Sequence, residues 1–456
     1  MATMTVDQLR EQLRGEVVVP GDAVFDEARA VMNGMIDRRP AAVVRVANAG
    51  DVIATVNYAR ENALDLSVRG GGHSGPGFGT NDGGAVIDFS RMRGIRIDPA
   101  TKTARAEGGV TWGDFNAAAH AFGLATTGGI ISTTGIAGLT LGGGIGYLSR
   151  GFGLSLDNLI SADVVTADGR FLVASEDENA DLFWALRGGG GNFGVCTSLE
   201  YRLHPVKDVY WGPMFYEVAE TENVFRFYRD YIKTAPEEMG AFPAFQIAPP
   251  LPFVPEDRHG DMFVAIVACW AGSLDEGERR FKPFHDVAEV KAEGIGPVPY
   301  PAINAAFDAL YQRGQRQYWK GNFVKALTDE AIAAHVQYGP KAPTVSSTMH
   351  LYPIDGACHR VAPEATAFGH RDANWSMVIL SGWDDPAADE ANTQWVRDYS
   401  DAIAPYSEEG GYVNFMAADD DNRAPANYGV NYDRLVEVKR TYDPDNVFHV
   451  NQNIRP

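Results

Sequence analysis

Where this chain puts its glycines limits its fold more than any other feature. Forty-nine of its 456 residues are glycine, above the usual ~7%, and three blocks at 70–72, 142–146 and 188–191 fall within the first 200 positions. Consecutive residues without Cβ atoms let another main chain or a ligand reach the backbone, and their N–H groups can converge on an anion. A flexible linker would set such glycines among polar residues. Here the stretch GLATTGGIISTTGIAGLTLGGGIGYLSRGFGLSLDN is largely apolar, which predicts a packed, irregular binding segment. One such loop would be read as a tight turn; three together predict an extended, phosphate-bearing ligand.

Two segments match G-x-G-x-x-G, Gly70-Gly71-Gly72-His73-Ser74-Gly75 and Gly189-Gly190-Gly191-Asn192-Phe193-Gly194. A dinucleotide fingerprint needs strand, loop and helix in that order. The first segment runs into Pro76-Gly77-Phe78-Gly79, and the second follows a helical pattern and enters a strand. A nicotinamide-binding Rossmann domain is therefore disfavoured, and anion-binding nests of bare amides remain. His73 sits inside the first block. A neutral imidazole there could approach a planar ligand and bond to an activated cofactor carbon.

The rest of the chain predicts a large soluble protein of more than one domain. Lys and Arg number 39 against 60 Asp and Glu, a net charge of −21, so nucleic acid and anionic membrane are not expected partners. Three scattered cysteines, Cys196, Cys269 and Cys358, form neither a disulfide framework nor a metal site, and no apolar run is long enough to span a bilayer. A cytoplasmic protein without metal is expected. Residues 41–69 predict a strand, a helix around Asp51 to Asn62 and a strand from Leu64 to Val68. In DVVTADGRFLVAS, Asp168-Gly169 predicts a type I′ hairpin. From about Val206 the glycine blocks stop and helices such as Thr221 to Thr234 alternate with strands such as Met262 to Trp270.

Five segments resemble the berberine-bridge-enzyme-like branch of the vanillyl-alcohol-oxidase flavoproteins: SVRGGGHS, GIAGLTLGGGIGYLSRGFGLSLDN, DVVTADGR, LFWALRGGGGNFGV and NYDRLVEVKRTYDPDNVFHVNQNI. The resemblance implies an α+β fold, with an FAD-binding domain of the vanillyl-alcohol-oxidase type and an inserted substrate domain built on an antiparallel sheet covered by helices. Residues 1–205 would be the first part of the FAD domain, 206–410 the substrate domain and 411–456 a C-terminal return. It implies FAD bonded through its 8α carbon to His73. Val68, Arg69, Gly70, Gly71, Gly72, Ser74 and Gly79 would surround the first FAD segment. Gly129, Thr134, Gly135, Gly138, Thr140, Gly143 and Gly146 would line the second. Gly194 and Val195 would hold the adenosine end, with Tyr428 and Asn431 also at the cofactor. The family's second, cysteinyl link falls on Ile131, so a single link is expected.

The substrate side departs from the family. Its tyrosine base falls on Phe415 in Tyr412-Val413-Asn414-Phe415, and the neighbouring strand Trp375-Ser376-Met377-Val378-Ile379 has no lysine or glutamine. Either another residue takes the proton, or an electron-rich substrate gives hydride without a strong base. Tyr412, Asn414 and Tyr428 are the catalytic candidates. His350 and Tyr352 share a strand face, as either a cavity wall or a core face; for them and for His370 a structural role is expected. The implied activity is an FAD oxidase passing hydride from a small alcohol, sugar, amine or phenol to flavin, with oxygen reduced to hydrogen peroxide. A dehydrogenase using another acceptor and a flavin-binding protein without turnover are the alternatives, and no G-x-S-x-G elbow supports a hydrolase.

Overall fold

The computed structural model describes residues 4–417, 419 and 423–456. Its strands form three sheets. In the first, Ala42–Arg45, Ala85–Asp88 and Leu66–Arg69 run parallel, with Glu16–Val18 added antiparallel at one edge. The helix Ala49–Glu61 connects two of these strands as predicted. The strands are not neighbours, however, because Ala85–Asp88 lies between them and pairs with both. Asn48 caps that helix by accepting from the Asp51 amide, and Asp51 in turn accepts from the amides of Arg14, Gly15 and Ala47.

The second sheet is antiparallel, in the order Ile95–Asp98, Thr103–Glu107, Val195–Arg202, Leu159–Val165, Phe171–Ser175. Its last hairpin departs from the type I′ expectation: Gly169 has φ +83°, but Asp168 is not among the positive-φ residues. The Asp168 carboxylate accepts from Thr166 Oγ1 and Arg170 Nε, holding a wider turn in which Gly169 alone takes the left-handed conformation. The segment 123–158 is less irregular than predicted and contains the helix Ile136–Gly142 and two shorter turns of helix.

From Asp208 onward the strands join an eight-stranded antiparallel sheet. Period-two alternation gives this sheet two unlike faces. On Thr348–Pro353, Met349 and Leu351 pack under the helices Thr221–Ile232, Asp329–Tyr338 and Asp389–Ile403, while His350 and Tyr352 point the other way. The helix Thr221–Ile232 buries Val224, Phe225, Tyr228 and Ile232 along one stripe, each worth roughly 1.5–3 kcal/mol when taken fully from water. The C-terminal helix Tyr432–Tyr442 returns to the first half, where Leu435, Val438 and Tyr442 share a core with Leu182 and Phe183.

Three polar fasteners fix the eight-stranded sheet over the first half. Arg150 is 3% exposed; it pairs with Asp355 at 2.7 Å and donates to the carbonyls of Ile232, Ala235, Pro236 and Met239. Arg371 holds Asp157 through both guanidinium nitrogens. Asn33 donates to the carbonyls of Gly75 and Gln317 and accepts from the Gln317 amide. No helix among the described residues is long and apolar enough to cross a membrane.

Candidate active site

Between the glycine loops and the open face of the eight-stranded sheet lies a cavity of about 390 Å³. Its floor is the 68–79 loop, the 129–139 segment, 190–196 and the 448–452 turn. Its roof carries Gln317, Trp319, His350, Tyr352, Val378 and Leu380.

The floor consists of main chain for a steric reason. A Cβ on Gly71 would stand 2.3 Å from the Gly135 nitrogen, and one on Gly135 would stand 2.4 Å from the Gly71 nitrogen. The two loops therefore touch backbone to backbone, where any side chain would part them. Gly72 adds a left-handed turn at φ +73°. Among the described residues, the amides of Gly71 through Gly75 donate to no protein acceptor. Unpaired donors on a concave, uncovered backbone form an anion cradle. Further along, Asn451 Oδ1 and Gln452 Nε2 are buried at the cavity wall, without partners among the described residues. The floor therefore fits a long molecule with an anionic middle and polar ends, as FAD is.

His73 stands at the meeting of two floor segments, its Nε2 2.8 Å from Thr133 Oγ1 and its Nδ1 3.4 Å from Thr134 Oγ1. Burial holds its pKa down to about 4, with Asp308 opposing and Arg313 assisting, so the ring is neutral and nucleophilic at pH 7. Arg69 lines the cavity, but its guanidinium is engaged with protein. Its guanidinium bonds Asp88 at 2.9 Å and the carbonyls of Ala28 and Ala30. Among the described residues no carboxylate lines the cavity.

The other expected site residues divide into those on the wall and those behind it. Val68, Gly70, Ser74, Gly79, Gly129, Thr134, Gly138, Gly194, Val195, Tyr412, Asn414 and Tyr428 line the cavity. Thr140, Gly143, Gly146 and Asn431 do not. Thr140 Oγ1 bonds the Tyr201 hydroxyl at 2.8 Å, and a Cβ on Gly146 would strike the Gly128 carbonyl. Asn431 donates to the carbonyls of Pro363 and Thr366. These four stand behind the wall.

The catalytic candidates are occupied in a similar way. The Tyr412 hydroxyl accepts from the Gly144 amide and from Asn414 Nδ2, both at 2.7 Å, and burial pushes its pKa up to about 12. Asn414 also donates to the Leu139 carbonyl. The Tyr428 hydroxyl donates to the Gln452 carbonyl at 2.9 Å. Tyr412 and Asn414 act as clasps between the C-terminal return and the floor, and Tyr428 ties two parts of that return together. His370 lies outside the cavity, stacked on Phe323 and bonded to the Ala426 and Asn427 carbonyls.

His350 and Tyr352, by contrast, are on the cavity wall, with His350 Nδ1 2.6 Å from the Tyr352 hydroxyl. The sequence reading missed Gln317 and Trp319, whose Nε2 and Nε1 are buried without a partner among the described residues. Both lie on Arg316–Val324, which pairs with Trp375–Trp383 along its whole length. A glutamine and a tryptophan two residues apart on one strand face were the available signal.

Residues 40–175 match the family model described as FAD binding domain, and residues 411–455 the one described as berberine and berberine like. The chain is 32% identical to an FAD-linked oxidoreductase of Dictyostelium discoideum, over 100% of this chain and 98% of the relative. It is also 32% identical to (R)-6-hydroxynicotine oxidase of Paenarthrobacter nicotinovorans, over 97% of each. The crystal structure of 6-hydroxy-D-nicotine oxidase from Arthrobacter nicotinovorans superposes with a TM-score of 0.86 at 30% identity, covering 97% of this chain and 98% of that one. With both ends of the fold and its whole length accounted for, the chain belongs to the berberine-bridge-enzyme-like branch of the vanillyl-alcohol-oxidase flavoproteins and is an FAD-linked oxidoreductase.

Proposed function

We propose that this enzyme is an oxidase of a small, largely aromatic amine, alcohol or phenol that carries one hydrogen-bond acceptor, and that its FAD is held through His73. The observation that carries this reading is the roof. Trp319, Tyr352, Val378, Leu380 and Phe415 give it an apolar, aromatic surface, and Gln317 Nε2 and Trp319 Nε1 supply two donors without partners. A buried donor left unpaired costs ~1–3 kcal/mol, so a ligand that brings an acceptor oxygen or nitrogen to these two gains that much in discrimination. A sugar would leave most of its hydroxyls unpaired against this surface. The name of the hydroxynicotine-oxidising relative supports the same class of substrate.

In this reading residues 1–205 and 411–456 bind FAD and residues 206–410 cover the substrate. The amides of Gly71 to Gly75 hold the diphosphate, while Gly138, Gly194 and Val195 leave room along the rest. Bound FAD supplies the acceptor for hydride and passes the electrons to oxygen, giving peroxide. The protein positions the substrate, excludes water and moves the proton. Ile131 lines the cavity at the position where relatives with a second link carry cysteine, so we propose attachment through His73 alone. Three free, buried cysteines are in keeping with a cytoplasmic location.

The test is an anaerobic panel of aromatic amines, alcohols and phenols. Those with an acceptor substituent should bleach the flavin, and air should restore the colour with one peroxide per turnover. No bleaching by any member would remove the oxidase reading; bleaching without peroxide would point to a dehydrogenase. His73→Ala protein should fold and lose its yellow colour on acid precipitation, which wild-type protein should keep.

A further inference from the structure

Hydride departure from an alcohol or a phenol also requires the loss of its O–H proton, and the cavity offers few groups to take it. His73 is assigned to the flavin, and the hydroxyls of Tyr412 and Tyr428 are engaged with main chain. Phe415 has no proton to exchange. We infer that the proton is taken by a two-residue relay in the roof, with Tyr352 touching the substrate and His350 receiving the proton behind it. The inference rests on the oxidase reading above and adds to it the residues that complete the reaction.

The geometry supports the relay at three points. Tyr352 and His350 alternate on one strand and both face the cavity. They are bonded to each other at 2.6 Å, a short hydrogen bond along which a proton has a direct path. The Tyr352 ring stands 6.1 Å from that of Phe415, so the pair lies beside the C-terminal clasp. Against the pair pack Phe242, Phe307 and Val378, all uncharged. The titratable groups bearing on Tyr352 are the hydroxyls of Tyr147 and Tyr311. Tyr311 also lines the cavity, but among the described residues no imidazole is bonded to it.

Burial lowers the His350 pKa to about 3 and raises that of Tyr352, so the resting pair is a neutral phenol bonded to a neutral imidazole. A base this weak suffices once the reaction has begun. The substrate C–H bond breaks with both electrons leaving as hydride to the flavin, and positive charge grows on the carbon. This makes the attached O–H strongly acidic; an amine closes its C=N bond with the nitrogen lone pair and does not draw on the relay. That bond then breaks, its electron pair completes the new C=O bond, and the proton passes to Tyr352 Oη while the Tyr352 proton passes to His350 Nδ1. A weak base so placed works late in the step and leaves the substrate neutral on arrival.

The experiment uses holoenzyme and an alcohol or phenol substrate found by the panel. Tyr352→Phe and His350→Gln should each slow anaerobic flavin reduction about 100-fold. Their double variant should be no slower, because one path is cut twice. The solvent deuterium isotope effect of the wild-type step should disappear in both. Adding Phe415→Tyr to Tyr352→Phe should restore part of the rate, which a merely structural role for Tyr352 would not allow. Independently of any substrate, ¹⁵N NMR of histidine-labelled holoenzyme should show a His350 Nδ1 that accepts a hydrogen bond, and this signature should vanish in Tyr352→Phe. An unchanged reduction rate in Tyr352→Phe, or a Tyr311→Phe variant that alone loses the isotope effect, would overturn the relay. If no substrate reduces wild-type flavin while the NMR signature is present, the oxidase reading fails rather than the pair.

Discussion

On the floor of the cavity, Gly71 and Gly135 bring two main chains into contact; on the roof, Trp319, His350 and Tyr352 stand off a regular sheet. The floor recognises with backbone amides, whose positions are set by the path of the chain. The roof recognises with side chains, any of which can change while the sheet's ladder stays intact. A ligand common to many enzymes suits the first surface, and one peculiar to each enzyme suits the second.

The sharpest way to break this comparison is to add a methyl group to the floor at two sites with opposite surroundings. Gly135→Ala places a carbon against the Gly71 nitrogen and should cost about 3 kcal/mol in stability, with purified protein lacking flavin. Gly138→Ala lies in a helix with nothing within 4 Å of the new carbon, and should gain up to about 1 kcal/mol in the apoprotein. Because Gly138 lines the cavity, the same methyl should weaken flavin retention. Thermal melts with and without added FAD separate the two; retained flavin in Gly135→Ala would show that the floor tolerates side chains.

Acid should distinguish the two surfaces less strongly. Burial lowers His335 and His350 of the roof half to about 3, and His73 and His204 of the floor half to about 4, from an ordinary 6.5. A depressed folded-state pKa means the unfolded chain binds protons first, so stability is complete above pH 6.5 and falls as pH drops through that value. The fall should continue to about pH 3 for the roof rings and stop near pH 4 for the floor rings. His335→Gln should therefore flatten the slope of unfolding free energy by about 1.4 kcal/mol per pH unit throughout this window. His204→Gln should flatten only its upper part. Denaturant titrations at half-unit pH steps would show an equal effect of both if the comparison is wrong.

The smallest expected effect concerns the roof donors. Gln317→Leu should weaken an acceptor-bearing aromatic ligand about 10-fold, near 1.4 kcal/mol, and leave an acceptor-free analogue and flavin retention unchanged. Absorbance titration with the two analogues checks it.

What could be read before the structure was what is local. The three glycine blocks announced bare backbone because each occupies a few adjacent residues. The alternation of His350 and Tyr352 announced a shared face, though not what that face looks upon. Tyr412 could not be read as a clasp, since its acceptor contact is with Gly144, 268 residues away. Gln317 and Trp319 escaped notice because their strand becomes part of the wall only through its pairing with Trp375–Trp383. The Asp168 turn was misread for a subtler reason, its side-chain bonds favouring a wider loop than the dipeptide alone suggests.

Asn33 bonds the Gly75 carbonyl below and both the amide and the carbonyl of Gln317 above. At ~1 kcal/mol for each of the two hydrogen bonds to Gln317, lifting that edge costs about 2 kcal/mol and leaves it raised about three hundredths of the time. One amide side chain thus sets the clearance of the chamber there, like a pillar between two plates. Reactant and product therefore find that edge shut nearly all of the time.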